Sequence, residues 1–284
     1  MAPTQKHRWF TRPDTSRHRR DAALVQFVLE SARADFFERY PTPSVGPVVA
    51  LIAAYEEERN LGAVLETVPE KVGEQQVTPL VIVDGGSDHT AEVSFAAQAL
   101  TCVLPVNLGQ GAALRVGYGL ASELGARYVV TLDADGQNDP AELGVMLEPL
   151  LDGAADFVIA SRRLGQDQTT DRFRRAGVRL YAALLNTIVG QRLTDSSNGY
   201  RSFRIELLDD IIPHLRQDQY QTAEVVIVAA TRGWRITEAP TVWHPRASGA
   251  SKKGGNLVFG LHYAEVILTT WRRMAREARK PRGG

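Results

Sequence analysis

From residue 48 onward the chain repeats one unit: an apolar run of strand length, a polar cluster, then a segment of helix length. The runs are VVALIAA (48–54), PLVIVD (79–84), TCVLPV (101–106), RYVVTLD (127–133) and DFVIAS (156–161). Helix-like stretches separate them at roughly 59–71, 89–100, 110–124 and 140–152. Strands alternating with helices predict a mostly parallel α/β sheet. Runs that are apolar throughout, rather than at every second residue, predict a sheet covered on both faces. Each run also ends in polar residues: AYEEE, DGGSD, NLGQG, DADGQ and SRR in turn. Ligands of open α/β sheets bind outside the carboxyl ends of the strands. Five polar loops at that edge therefore predict a site.

The fourth loop, TLDADGQNDP (131–140), is the most demanding. It places Asp133, Asp135 and Asp139 close together after an apolar strand, where like charges repel and unpaired carboxylates are costly. A cation is expected there. In an extended loop alternate residues point the same way, so Asp133, Asp135 and Gln137 predict three converging oxygen ligands. Such a set suits a hard divalent ion; Mg²⁺ takes one or two carboxylates and shares a substrate's phosphates. The alternative is an Asp-rich turn. Asp139, before Pro140, is expected to cap the next helix. In DGGSDHT (84–90) neither phosphate-loop template is present. Asp84 is read as a ligand for a nucleobase edge, and Asp88 and Thr90 as helix caps.

The remainder is less regular. Residues 1–20 carry Lys6, Arg8, Arg12, Arg17, Arg19 and Arg20 against Asp14 alone and read as a basic arm. A helix follows over 21–39, expected to pack on the domain rather than lie on anionic lipid, and PTPSVGP (41–47) reads as a linker. Beyond residue 162 the expectations are a basic helix (172–189), a turn-rich DSSNGYRSFR (195–204), a helix (219–232), an edge strand (234–244), a flexible loop (245–255) and a closing helix (256–275). Lys+Arg and Asp+Glu both number 33, so no global field favours nucleic acid. No stretch has the roughly 18–20 apolar residues of a membrane span, and no signal peptide opens the chain. A cytoplasmic protein, at most peripheral at the inner face of the membrane, is expected. Cys102, the single cysteine, reads as a core residue.

Five segments in order carry a resemblance. IAAYEEERNL, VIVDGGSDHT, NLGQGAALRVGYGLA, TLDADGQNDP and the ASRR/DSSNGYRSFR/WHPRASGASK group together resemble a family 2 glycosyltransferase of the GT-A fold, over about residues 47–260. Within that family they are most similar to dolichyl- or polyprenyl-phosphate sugar (mannose) synthases. The resemblance implies a catalytic domain over 47–255, preceded by the arm and amphipathic helix (1–46) and followed by a C-terminal helix and tail (256–284). It implies that Ala53, Tyr55 and Glu57 line the nucleotide pocket and that Asp84 binds the base. Asp133, Asp135 and Gln137 would hold Mg²⁺ or Mn²⁺ on the diphosphate. Arg162 and Arg174, with Arg201 as a weaker candidate, would grip an acceptor phosphate, since guanidinium forks suit phosphate oxygens. Arg246, Ser251 and Lys252 would close over the diphosphate. Glu224 and Asp195 are the candidate bases should the acceptor be a hydroxyl. Glu224 reads equally as a paired core charge. Ala53, Glu56 and Gln110 stand where proline, asparagine and lysine are usual in the family.

The expected activity is metal-dependent, inverting transfer from a GDP- or UDP-sugar to a polyprenyl phosphate. A soluble small-molecule acceptor and a non-catalytic nucleotide-binding scaffold are the alternatives. A homodimer is left open.

Overall fold

The computed structural model describes residues 22–169, 172–246 and 256–278. The basic arm, and Ser251 and Lys252 of the predicted closing loop, lie outside the described residues.

The core is one mixed sheet. Helix α1 (Ala22–Arg39) precedes β1 (Val48–Ala54), α2 (Leu61–Thr67), the short β2 (Lys71–Val72), β3 (Gln75–Asp84), α3 (Thr90–Ala96), β4 (Leu100–Leu104), α4 (Gln110–Glu123) and β5 (Tyr128–Asp133). A 3₁₀ turn at Pro140–Glu142 leads to α5 (Leu143–Leu151), β6 (Phe157–Asp167), α6 (Arg172–Val189), β7 (Arg201–Arg204) and α7 (Ile205–Ile211). The chain continues through α8 (Gln221–Thr231), β8 (Ile236–Trp243) and α9 (Asn256–Ala278). The strand order is β2-β3-β1-β5-β7-β6-β8, with β4 also on β3. Strands β4, β3, β1 and β5 run parallel, as do β6 and β8, and β7 lies antiparallel between β5 and β6.

The pleat of β1 explains the continuous apolar runs. Val49 and Leu51 enter a core shared with α4, α8 and α9; Val48, Ala50 and Ile52 enter a second core with α2 and α5. Both faces are buried, so alternation has no solvent face to mark. On the first face α1 packs through Ala32 and Phe36, and the Tyr40 hydroxyl that follows it donates to Ala99 O at 3.3 Å. Cys102 is fully buried there, its thiol pushed up to about 12 by burial.

Two elements differ from expectation. Strand β7 occupies part of the segment read as turns. Its four residues, RSFR, carry two arginines and lack an apolar run, yet Phe203 stacks on Phe157 at 4.6 Å. Strand β6 continues past Ser161 to Asp167 through an irregularity against β8. Gly165 allows this: a Cβ there would sit 2.2 Å from Thr241 O.

Because β7 enters the sheet at the edge where β5 and β6 leave it, residues 195–200 join the strand-end loops. In register, Ala53 sits beside Asp133 and Ile82, and Asp84 beside Leu104. That edge carries the candidate site.

Candidate active site

The site centres on Asp133, the last residue of β5, and Asp135 in the turn after it. Asp133 Oδ1 accepts from the side-chain amide of Gln110, the first residue of α4, at 2.8 Å. Gly199 faces the same carboxylate: a Cβ at 199 would lie 3.0 Å from Asp133 Oδ2. The 195–200 loop is fastened to β5 by Thr131 Oγ1, which donates to Gly199 O at 2.7 Å.

Asp135 is surrounded by donors. Its Oδ1 accepts from Gln137 N at 3.1 Å, a tight local turn with Gly136 at φ +73°. Its Oδ2 accepts from Arg246 Nη1 at 2.9 Å. The other guanidinium arm of Arg246 donates to Glu57 Oε1. Glu57 Oε2 accepts from Asn60 Nδ2 at 2.7 Å, and Glu57 N donates to Thr90 Oγ1 at 2.8 Å. Arg246 is a cation seated on this carboxylate cluster.

The turn at 134–136 ends the extended run, yet the side-chain amide of Gln137 still reaches Asp135, 3.1 Å from Oδ2. With its amide turned to satisfy both ends, Gln137 donates to Asp135 Oδ2 at 3.1 Å and accepts from Trp243 Nε1 at 3.2 Å. It buttresses Asp135. Among the described residues no group of three or more His, Cys, Asp or Glu side chains is arranged to hold a metal ion. Two all-oxygen carboxylates with a cation already drawn to them nonetheless fit an open Mg²⁺ or Mn²⁺ site completed by substrate oxygens and water.

Ala53 and Tyr55, at the end of β1, border this edge. The Tyr55 hydroxyl is held above its usual range by partial burial and then by the neighbouring Glu56 carboxylate. Glu56 itself takes a left-handed backbone, φ +50°. Asp88 holds the start of α3, its Oδ1 accepting from Thr90 N at 3.1 Å, whereas Thr90 is not a cap: it is the first residue inside the helix, and its hydroxyl donates to Asp88 Oδ1 at 2.7 Å. Asp139 acts as expected, accepting from Ala141 N at 2.9 Å.

Several expected ligands are turned inward. Asp84 is 3% exposed, and its two oxygens accept from Leu108 N at 2.7 Å and Gly109 N at 2.8 Å. It fastens the NLGQG loop rather than presenting an oxygen to a base. Burial raises its carboxyl to about 6 despite those two donors. Arg162 is buried against Asp195, which is fully buried, and stacks 4.3 Å from the Trp243 ring centroid. The pair neutralises itself, so Arg162 offers no fork to a phosphate and Asp195 no lone pair to a proton. Arg201 spends its donors on backbone carbonyls: Asn198 O and Ser196 O at 2.7 Å and Thr222 O at 2.8 Å. Burial lowers its pKa, and its role is to shape the loop that meets Asp133. Arg174 lies in the first turn of α6, where its side chain is outside the described set.

Glu224 is the paired core charge of the two readings. It is fully buried in α8. It accepts from Arg216 N at 2.9 Å, Gln217 N at 2.9 Å and Arg273 Nη2, on α9, at 2.6 Å. The segment it holds in turn accepts the α4 amide of Gly111 on Asp218 O at 2.8 Å. Desolvation raises the Glu224 pKa, but no reacting group has access to it. Residues that sequence reasoning missed are Gln110, Asn60, Gly199 and Trp243. Gln110 alone carried a signal, as a departure from the family's usual lysine.

Comparison with known proteins places the chain in a family. The Glycosyl transferase family 2 model matches residues 49–212, and the chain belongs to that family: it is a glycosyltransferase. It is 30% identical over 238 residues to the undecaprenyl-phosphate mannosyltransferase of Micrococcus luteus, covering 81% of this chain and 95% of that one. It is 29% identical over 229 residues to the dolichyl-phosphate hexose transferase of Haloferax volcanii, covering 78% and 94%. Among solved structures, glucosyl-3-phosphoglycerate synthase of Mycobacterium tuberculosis with phosphoglyceric acid superposes with a TM-score of 0.64 at 18% identity, over 86% of this chain and 83% of that one. The fold is GT-A. The same neighbour has been crystallised with Mn²⁺ and uridine diphosphate.

Proposed function

We propose that the protein transfers a sugar from a nucleoside-diphosphate sugar to a polyprenyl phosphate, with Mg²⁺ or Mn²⁺ and with inversion at the anomeric carbon. The observation that carries this reading is the Asp133–Asp135 pair at the carboxyl edge of the sheet, set between Gln110, Gly199 and Arg246. When bound, the metal supplies charge neutralisation for the departing diphosphate. Asp133 and Asp135 hold it; Gln110 and Gly199 fix the position of Asp133; Ala53 and Tyr55 border the nucleoside.

The inward-turned carboxylates support this acceptor class. A hydroxyl acceptor must lose its proton to a base, and Glu224 and Asp195 are both buried in ion pairs. A phosphate monoester, with its second pKa near 6, is already an anionic nucleophile at neutral pH. Its oxygen bonds to the anomeric carbon as the bond to the diphosphate oxygen breaks, and the electron pair leaves with the nucleoside diphosphate. The named activities of the bacterial and archaeal relatives support the same acceptor. No helix among the described residues is long and apolar enough to cross a membrane.

The test is a panel of UDP- and GDP-sugars incubated with Mn²⁺ and either undecaprenyl phosphate or a phosphorylated or hydroxylated small molecule. The expected product is a sugar phosphodiester extracted into the organic phase. Transfer confined to a hydroxyl acceptor would contradict the reading.

A further inference from the structure

Arg246 has a role beyond the diphosphate contact that its loop suggests. Its guanidinium spans the two acidic sides of the cleft, donating to Asp135 Oδ2 at 2.9 Å and to Glu57 Oε1. Its side chain is only 18% exposed, and those of Glu57 and Asp135 are 10% and 13% exposed. Both carboxylates are held for it from behind, Glu57 by Asn60 and Asp135 by the turn amide of Gln137. Arg246 follows β8 closely, and its approach is fixed by His244 N donating to Gln137 O at 2.9 Å. The carboxylate that Arg246 neutralises is the one the metal reading requires.

We propose that Arg246 is a resident counter-cation: it occupies Asp135 when no divalent ion is bound, and the ion must displace it. This rests on the metal reading of the Asp133–Asp135 pair. The physical ground is competition. A charge-assisted contact to a carboxylate oxygen and a metal–oxygen bond use the same lone pairs, and Arg246 joins the like charges of Glu57 and Asp135, which otherwise repel. The guanidinium thus offsets part of the negative charge that Asp135 and Glu57 bring together. Once displaced from Asp135 it is released beside the new metal site, where the donor's phosphates lie.

The test is a Mn²⁺ titration without nucleotide, read by loss of the free-ion EPR signal, on wild type, Arg246→Ala, Arg246→Gln and Glu57→Gln, with melting curves to establish folding. Removing a competing charge-assisted contact should tighten bare Mn²⁺ binding by about tenfold in the Arg246 variants. Glu57→Gln should tighten it too, by loosening one arm of the clamp. Unchanged or weaker Mn²⁺ binding in the Arg246 variants would overturn the proposal, and weaker binding in Glu57→Gln would make Glu57 a ligand instead. A wild type that takes up Mn²⁺ only with UDP or GDP, equally in all variants, would overturn the counter-cation while leaving the glycosyltransferase reading standing. No uptake under any condition would overturn both.

Discussion

Replacing Glu224 with glutamine separates the two roles a buried carboxylate at this position can have. As a catalytic base it would be dispensable for folding, and its loss would lower turnover by about 10²–10⁴-fold. The structure assigns it the other role. The carboxylate accepts from two backbone amides and from Arg273 with no solvent exposure. Glutamine of the same shape keeps one acceptor oxygen but turns an NH₂ group toward donors, and it leaves the Arg273 guanidinium without its charge partner. Breaking one side of a buried charge pair costs roughly 3–5 kcal/mol. For a chain of 284 residues that corresponds to a fall in Tm of about 6–10 °C, at roughly 2 °C per kcal/mol. Differential scanning calorimetry measures the fall. Sugar-transfer turnover, taken well below the variant's Tm and normalised to folded protein, should stay within about threefold of wild type, since an interaction absent from the reacting centre contributes little to the barrier. An unchanged Tm with turnover down a hundredfold would refute this reasoning and restore Glu224 as the base.

Further predictions concern the loops around the metal pair. Arg162→Met strands a buried Asp195 and should cost roughly 3–5 kcal/mol, part of which Asp195→Leu in the same chain recovers; chemical denaturation of the single and double variants checks this. Gly199→Ala pushes a methyl to 3.0 Å from Asp133 Oδ2 and should weaken Mn²⁺ binding about tenfold while shifting Tm by only a few degrees. Asp84 gives a pH signature. Its folded pKa near 6 lies above the ordinary 3.8, so stability from this group is full below about 3.8 and is lost as pH rises through 6. The stability of wild type relative to Asp84→Asn should therefore decline between pH 4 and 6, by at most on the order of 3 kcal/mol, and be level above that. A difference independent of pH would contradict it.

Strands β1, β3 and β5 were legible because both of their faces are buried and their runs are uninterrupted. Their loops were legible as a site because parallel strands end at one edge. What sequence could not show was direction. Asp84, Arg162, Arg201 and Glu224 have the residue types that bind bases, phosphates or protons, and each is spent on a backbone amide, a carbonyl or a buried partner. Those partners, Leu108, Asp195, Ser196 and Arg273, lie between 5 and 49 residues away in the chain, beyond anything spacing encodes. The turn at Gly136 replaces the extended backbone assumed through Gln137, yet the Gln137 side chain still reaches Asp135. Strand β7 was hidden because a four-residue strand with two arginines shows neither an apolar run nor alternation. Arg246 was noted for its loop, but its seat on Asp135 depends on β8 delivering residue 246 to the end of β5.

The most direct test of the account is thermal unfolding with UDP and GDP, each with and without Mn²⁺, on wild type and on Asp133→Ala. A ligand at a hundredfold its Kd stabilises the native state by about 2.7 kcal/mol, or roughly 5 °C for a chain of this size. The account predicts a rise of that order with at least one nucleotide, dependent on Mn²⁺ in wild type and absent in Asp133→Ala. A rise that is the same without metal, or the same in Asp133→Ala, would contradict the claim that this aspartate pair is where the metal and the donor's diphosphate bind.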